Sequence, residues 1–91
     1  MSERDAARQV LDALKQAAAK PAQEALADLN GLIPLVQGGG EQEQELEAQE
    51  ARVSAFLAIC EVGKALHRGQ PTDALYTAAV AAAERWVMVT R

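Results

Sequence analysis

Aromatic side chains are scarce in this sequence, and alanine takes their place. Phenylalanine, tyrosine and tryptophan together make up 3% of the 91 residues, although hydrophobic residues as a whole make up 49%. Alanine is the best helix former and buries little surface per residue. We therefore expect helices that pack closely around a thin core, with modest stability unless a second chain adds buried surface.

The sequence also lacks long apolar runs and has a single cysteine. Its longest apolar stretches, Ala55 to Cys60 and Ala78 to Ala83, have six residues each, whereas a membrane-spanning helix needs roughly 20. The first ten residues are charged and have no apolar centre of the kind found in secretory signals. One cysteine cannot form an internal disulfide. We expect a cytoplasmic protein without a membrane segment, built as a single domain over residues 1–91.

Basic residues are missing where acidic ones are concentrated. The net charge is −4, and residues 21–50 carry seven acidic side chains and no basic one. Binding to nucleic-acid phosphates needs a concentrated basic face, so we expect no direct nucleic-acid binding. An acidic run is usually a solvated face, although it can also attract a basic partner.

The hydrophobic pattern predicts an all-α fold with four helices. The first helix is expected over residues 3–19, with Ser2 as its N-cap. The second is expected over residues 21–30, because Gly31 supplies a C-terminal stop and Pro34 prevents a regular continuation.

Three consecutive glycines, residues 38–40, divide the chain. Glycine runs are flexible, and the charge changes character across this one. We predict a hinge at residues 37–40 that joins two αα-hairpins: an N-terminal hairpin over residues 1–36 and a C-terminal hairpin over residues 41–91.

The C-terminal hairpin is predicted to contain the longest helix, residues 41–68, followed by a fourth helix over residues 71–89. The segment 63–75 resembles the turn region of a tetratricopeptide hairpin, in which a helix ends at a glycine and an Ala-Leu pair follows early in the next helix. Gly69 and Ala74 match that spacing, whereas the aromatic positions of the repeat are missing. The resemblance implies an αα-hairpin at this point.

The third and fourth predicted helices each have two apolar faces on a helical wheel, whereas a helix beside a single layer needs one. In the third helix, the first face is Leu46, Val53, Phe56, Leu57 and Cys60, and the second is Ala48, Ala51, Ala55, Ile59, Val62 and Leu66. In the fourth helix, the stronger face is Leu75, Ala78, Ala79, Ala82, Trp86 and Val89, and the other is Tyr76, Val80, Ala83 and Val87. This surplus of apolar surface predicts self-association or a bound partner.

We predict that the contact centres on the first face of the third helix. Interfaces tend to place large anchors centrally and charges at the edge. The expected partner-binding or dimer-interface residues are Leu46, Val53, Phe56, Leu57, Tyr76 and Trp86, with Glu43, Glu47 and Glu50 as an acidic rim. Two alternatives stay open. In one, the first face is core and the alanine-rich face is exposed; in the other, Tyr76 and Trp86 are core residues.

Side chains that could carry chemistry do not converge. Cys60 and His67 are the only cysteine and histidine, and seven residues of helix separate them by roughly 10 Å, too far for one zinc ion. The glutamates between residues 41 and 50 include neighbours two apart, which point to different sides of a helix. We therefore expect no catalytic site, metal, cofactor or small-molecule substrate.

These observations together predict a small, non-catalytic protein–protein interaction module that acts as a homodimer, in the role of an adaptor, small chaperone or inhibitor. The alternative is an acidic nucleic-acid mimic that inhibits a DNA- or RNA-handling complex. Salt separates the two, because an apolar interface is nearly indifferent to it and a charge mimic weakens steeply.

Overall fold

The computed structural model describes residues 2–37 and 46–90, and within these ranges the chain is all-helical with no strand. The prediction of an all-α fold with four helices is confirmed. The glycines of the predicted hinge, residues 38–40, and residues 41–45 of the predicted third helix lie outside the described residues. The helices are α1 (Glu3–Ala17), α2 (Ala22–Gln37), α3 (Leu46–Arg68) and α4 (Asp73–Val89).

Each helix packs against two neighbours around a common core. α1 contacts α2 and α4, and α3 contacts the same two helices, with the most extensive contact between α3 and α4. The molecule measures 38 × 21 × 17 Å. The fully buried side chains at its centre include small and large residues from all four helices: Ala7, Val10, Leu14, Ala25, Val36, Ala51, Ala55, Val62, Ala79, Ala83 and Trp86.

α1 begins and ends where local signals place its boundaries. The Ser2 hydroxyl accepts a hydrogen bond from the Asp5 backbone N–H at 3.1 Å, which satisfies one of the free N–H groups of the first turn. The helix ends at Ala17, two residues earlier than expected, since Pro21 disfavours helical backbone at the residue before it. The Lys20 ammonium then pairs with Asp28 at 2.6 Å across the turn into α2.

The predicted end of the second helix at residue 30 is wrong, because α2 continues through Gly31 and Pro34 to Gln37. A proline inside a helix costs about 3 kcal/mol through its missing N–H and its ring. The last two turns bury Leu32 and Val36, and fully burying a side chain of this size stabilises by about 1.5–3 kcal/mol. Tertiary burial therefore offsets the proline, whose own side chain is exposed.

The end of α3 at Gly69 is confirmed, and its geometry explains the glycine. Gly69 has a φ of 68°, in the left-handed region that side chains with a Cβ avoid. The Gln70 N–H donates to the Ala65 carbonyl at 2.8 Å and the Gly69 N–H to the Leu66 carbonyl at 3.3 Å. These two bonds form a Schellman motif, which satisfies carbonyls at the end of the helix.

Candidate protein-interaction surface

α3 carries a line of large apolar side chains that point away from the core. Leu46 is 70% exposed, Val53 44% and Leu57 57%. Their spacings of seven and four residues place them on one side of a helix, and we call these three residues the exposed stripe. The side of α3 opposite the stripe is buried, through Ala48, Ala51, Ala55, Ile59, Val62 and Ala65.

The structure thus shows which of the two apolar faces of α3 is core, a question that the sequence left open. The alanine-rich face is core, apart from Leu66, which is half-buried at its edge. The face with larger side chains is the one in contact with solvent. Within it, Phe56 is half-buried and packs against the core, and Cys60 is a half-buried free thiol. Leu46, Val53 and Leu57 therefore supply most of the apolar surface that α3 offers to a partner.

Two residues expected at the contact surface are core residues instead, and this corrects the prediction. Trp86 is fully buried and Tyr76 is buried, so neither side chain is accessible to a partner. The buried side of α4 runs through Tyr76, Ala79, Ala83 and Trp86, which combines members of both predicted faces. With so few aromatic residues in the chain, filling the centre of the molecule needs the two largest side chains.

The acidic rim is described in part. Glu47 and Glu50 are exposed in the first described turns of α3. Glu43 lies outside the described residues. Both described glutamates flank Leu46 and Val53, so the start of the exposed stripe has negative charge beside it.

An open depression of about 480 Å³ adjoins the same end of the stripe. Its lining combines apolar, acidic and basic side chains, and one of them, Arg85, comes from α4. The lining residues are Leu46, Gln49, Glu50, Arg52, Val53, Ser54 and Arg85. Met88, one turn beyond Arg85 on α4, is 82% exposed.

Arg52 fixes the position of this end of α3 against α2. Its Nη1 donates to the Val36 carbonyl at 2.7 Å, close to the C-terminus of α2, where carbonyl groups lack partners within the helix. α2 has no basic residue in its own last turn, and the guanidinium of Arg52 complements the dipole there. Among the residues that the structure describes, none is a hydrogen-bond partner for the buried Arg52 Nε. The hydrogen bond to Val36 thus holds the part of α3 that carries Leu46 and Val53 against the end of α2.

Other chemically active side chains stay apart in the part of the chain that the structure describes. No group of three or more His, Cys, Asp or Glu residues in it is arranged to hold a metal ion. Among the same residues, none of the helices has the length and apolar character needed to cross a bilayer.

Comparison with protein-family models, with curated proteins and with solved structures found no match to this chain. The fold and the exposed surface of α3 are therefore the basis for a functional proposal.

Proposed function

We propose that this chain is a non-catalytic protein-interaction domain that self-associates as a homodimer through the exposed stripe of α3. The observation that carries the proposal is the alignment of Leu46, Val53 and Leu57 on the side of α3 opposite the core. Single exposed apolar residues are normal on a protein surface. Three of them in line on one helix form an apolar edge of the kind that pairs with a second helix.

The charges around the stripe fit a protein contact with an apolar centre and a polar rim. Glu47 and Glu50 lie beside its first half, and Arg85 on α4 borders the adjoining depression. Burying a leucine or valine fully stabilises by about 1.5–3 kcal/mol, so burial of these three residues from each copy favours association and opposes the cost of the translational and rotational freedom that the two copies lose. The alternative, an acidic mimic of a nucleic acid, gains no support from apolar side chains in the middle of its surface.

The proposed module works in the cytoplasm as an adaptor, a small chaperone or an inhibitor. In this proposal residues 38–40 act as a hinge between an N-terminal and a C-terminal helical hairpin, whereas Gln37, which the sequence assigned to the hinge, is the last residue of α2. The proposal includes no catalytic or metal-binding role. Cys60 and His67 are seven residues apart on α3 and therefore lie roughly 10 Å from each other along the helix axis.

Paired aspartate substitutions on the two sides of α3 test the proposal. Leu46→Asp with Val53→Asp places charge in the stripe, and we expect a helical protein that is monomeric. Ala48→Asp with Ala55→Asp places charge in the core, and we expect unfolding, since burying an unpaired carboxylate is very costly. Circular dichroism measures the helix content and sedimentation measures the mass of each variant.

A matched control keeps the change of charge and the spacing and moves them to α1. Gln9 and Gln16 are exposed and seven residues apart, and α1 contacts α2 and α4 rather than the exposed side of α3. Gln9→Asp with Gln16→Asp should leave both the fold and the dimer intact. A monomeric unmodified chain at micromolar concentration, or a dimer that survives Leu46→Asp with Val53→Asp, would overturn the proposed function.

A further inference from the structure

The exposed face of α3 changes its charge from one end to the other. Its first turns present the exposed acids Glu47 and Glu50, whereas its last turns present the exposed residues Lys64, His67 and Arg68 beside a single exposed acid, Glu61. Between them lie Val53 and Leu57, and Leu57 is the central residue of α3 (Leu46–Arg68). One end of the helix is therefore complementary in charge to the other end of a second copy.

We propose that two copies of the chain pair with their α3 helices antiparallel, with Leu57 at the two-fold axis. This inference rests on the proposed homodimer and specifies its geometry. A two-fold interface brings the same surface of each copy together, so that a residue before the axis lies level with the residue equally far after it. Leu57 of each copy then contacts Leu57 of the partner subunit.

The spacing of the charged residues selects this register. Glu50 lies seven residues before Leu57 and Lys64 seven residues after it. Seven residues are close to two turns and span roughly 10 Å, so all three side chains lie on one side of the helix. An axis at Leu57 therefore places Glu50 level with Lys64 of the partner subunit, twice in the dimer. In the same register Glu47 lies level with the last turn, which carries His67.

Lys64 is free to make this contact. Within its own chain it pairs with Glu61 at 3.3 Å, and both side chains are more than half exposed, at 61% and 58%. Such surface pairs contribute about 0–1 kcal/mol, so exchanging or sharing the partner costs little. A parallel pairing would instead place Glu50 against its own counterpart and Lys64 against its own, and like charges repel.

The molecule offers enough surface for this contact. α3 has 23 residues and is roughly 33 Å long at 1.5 Å per residue, which is most of the 38 Å length of the molecule. A standard interface buries about 800 Å² per partner, so it would extend over most of a side that measures 38 by 21 Å. Met88 and Arg85 on α4 lie where they can widen the contact beyond α3.

Engineered disulfides test the register. Packed helices lie about 8–10 Å apart between axes, with Cα atoms about 2.3 Å from each axis. Residues that face each other at the two-fold axis thus come within the Cα separation of a disulfide, about 4.4–6.8 Å. In a Cys60→Ser background, Leu57→Cys should oxidise to a covalent dimer. Val53→Cys should not, because the two copies of residue 53 lie roughly 12 Å apart along the helix direction.

Charge exchange provides an independent test. Lys64→Glu alone, or Glu50→Lys alone, should weaken the dimer about tenfold, and the two together should restore the dissociation constant to within about threefold, since exposed pairs carry these modest energies. A parallel dimer pairs each residue with its own counterpart, so neither single change adds a like-charge contact, and all three variants should keep the dissociation constant of the unmodified protein. Sedimentation of each variant under reducing conditions gives the dissociation constants, and circular dichroism checks that helix content is unchanged.

The results separate this inference from the proposed homodimer. A covalent dimer through residue 57 but not 53, together with rescue by the charge exchange, supports the antiparallel register. A dimer by sedimentation that crosslinks through residue 53, or through neither, or shows no rescue, overturns the register and leaves the homodimer standing. A monomeric unmodified chain overturns both.

Discussion

The Trp86 indole N–H donates a hydrogen bond to the Glu3 carboxylate at 3.2 Å, joining the last turns of α4 to the first turn of α1 across 83 residues of sequence. An indole N–H is a donor only, and a buried one needs an acceptor. Glu3 supplies it from a half-buried position. The first and fourth helices are therefore held together at this end of the molecule by one aromatic side chain and one carboxylate.

Replacing Trp86 should affect stability rather than binding. Trp86→Ala removes the largest fully buried side chain, and large-to-small changes of this kind cost about 3–5 kcal/mol in the free energy of unfolding. Glu3→Gln keeps an acceptor for the indole and should cost less than about 1 kcal/mol. Urea unfolding at a fixed protein concentration measures both. If the Trp86→Ala variant kept its stability but no longer dimerised, Trp86 would be an interface residue rather than a core residue.

The end of α3 provides a prediction that depends only on backbone geometry. Gly69→Ala places a Cβ on a residue with a φ of 68°, which should lower the free energy of unfolding by about 1–2 kcal/mol. The Cβ meets no atom of the described part of the chain within 4 Å, so the effect is conformational strain rather than a clash. Gly63→Ala, inside α3 and equally unobstructed, is the control and should be neutral or stabilising. Equal losses at both positions would contradict this explanation.

Local signals in the sequence were sufficient to predict some features of the fold. A serine at an N-terminus and a glycine at a C-terminus act through nearby backbone groups, so Ser2 and Gly69 identify helix ends without knowledge of the tertiary structure. Pro34 was misleading because its effect depends on what the rest of the helix buries. Burial of Leu32 and Val36 is a property of the packed molecule.

The sequence also predicted part of the candidate surface. Helical periodicity identified two apolar faces on α3, and the structure shows that the small alanines pack against the other helices while Leu46, Val53 and Leu57 are exposed. On α4 the core side runs between the two predicted faces, so periodicity alone could not assign Tyr76 and Trp86. The contact of Arg52 with Val36 joins residues 16 apart on two helices, and no sequence pattern indicates it.

Pro34 offers a route to a more stable protein. Pro34→Ala restores a backbone N–H inside α2, and because the residue is exposed, no packing is lost. We expect the free energy of unfolding to rise by about 1–2 kcal/mol, less than the full penalty of about 3 kcal/mol for a helical proline, since the unfolded chain also gains freedom. Leu32→Ala, on the buried side of the same helix, should lower it by about 2–5 kcal/mol. Thermal unfolding followed by circular dichroism measures both changes. A loss of stability in Pro34→Ala would contradict the account of α2.

Tyr76 gives a pH-dependent prediction. Burial raises the pKa of its hydroxyl above the ordinary 10.0, and the negative charge of Asp28 raises it further. The unfolded chain therefore loses the phenolic proton at a lower pH than the folded chain does. The free energy of unfolding is unaffected by this group below pH 10 and falls as the pH rises above it. Because Tyr76 is the only tyrosine, the ultraviolet absorbance of its phenolate reports the titration directly.

Tyr76→Phe should remove that alkaline loss. The buried hydroxyl has no hydrogen-bond partner within residues 2–37 and 46–90, so at neutral pH the variant should be as stable as the unmodified protein or more stable by up to about 1 kcal/mol. The hydrogen bond to Asp28 also raises the pKa of Lys20 above 10.5. Lys20 therefore adds its own decrease in the free energy of unfolding as the pH rises, and this decrease remains in the Tyr76→Phe variant. A phenolate titration at the ordinary pKa in the folded protein would contradict burial of Tyr76.

Salt should have little effect on the proposed dimer. The stripe contributes apolar area, which salt does not screen, and the Glu50 and Lys64 pairs are exposed and individually weak. We expect the dissociation constant from sedimentation to rise by less than about tenfold between roughly 0.05 and 0.5 M sodium chloride. Leu57→Ala should weaken the dimer to a similar extent at every salt concentration, whereas Lys64→Glu should weaken it most at low salt, where like charges repel over a longer distance. A steep loss of association with salt in the unmodified protein would mean that charge rather than the exposed stripe holds the copies together, and would favour the acidic-mimic alternative.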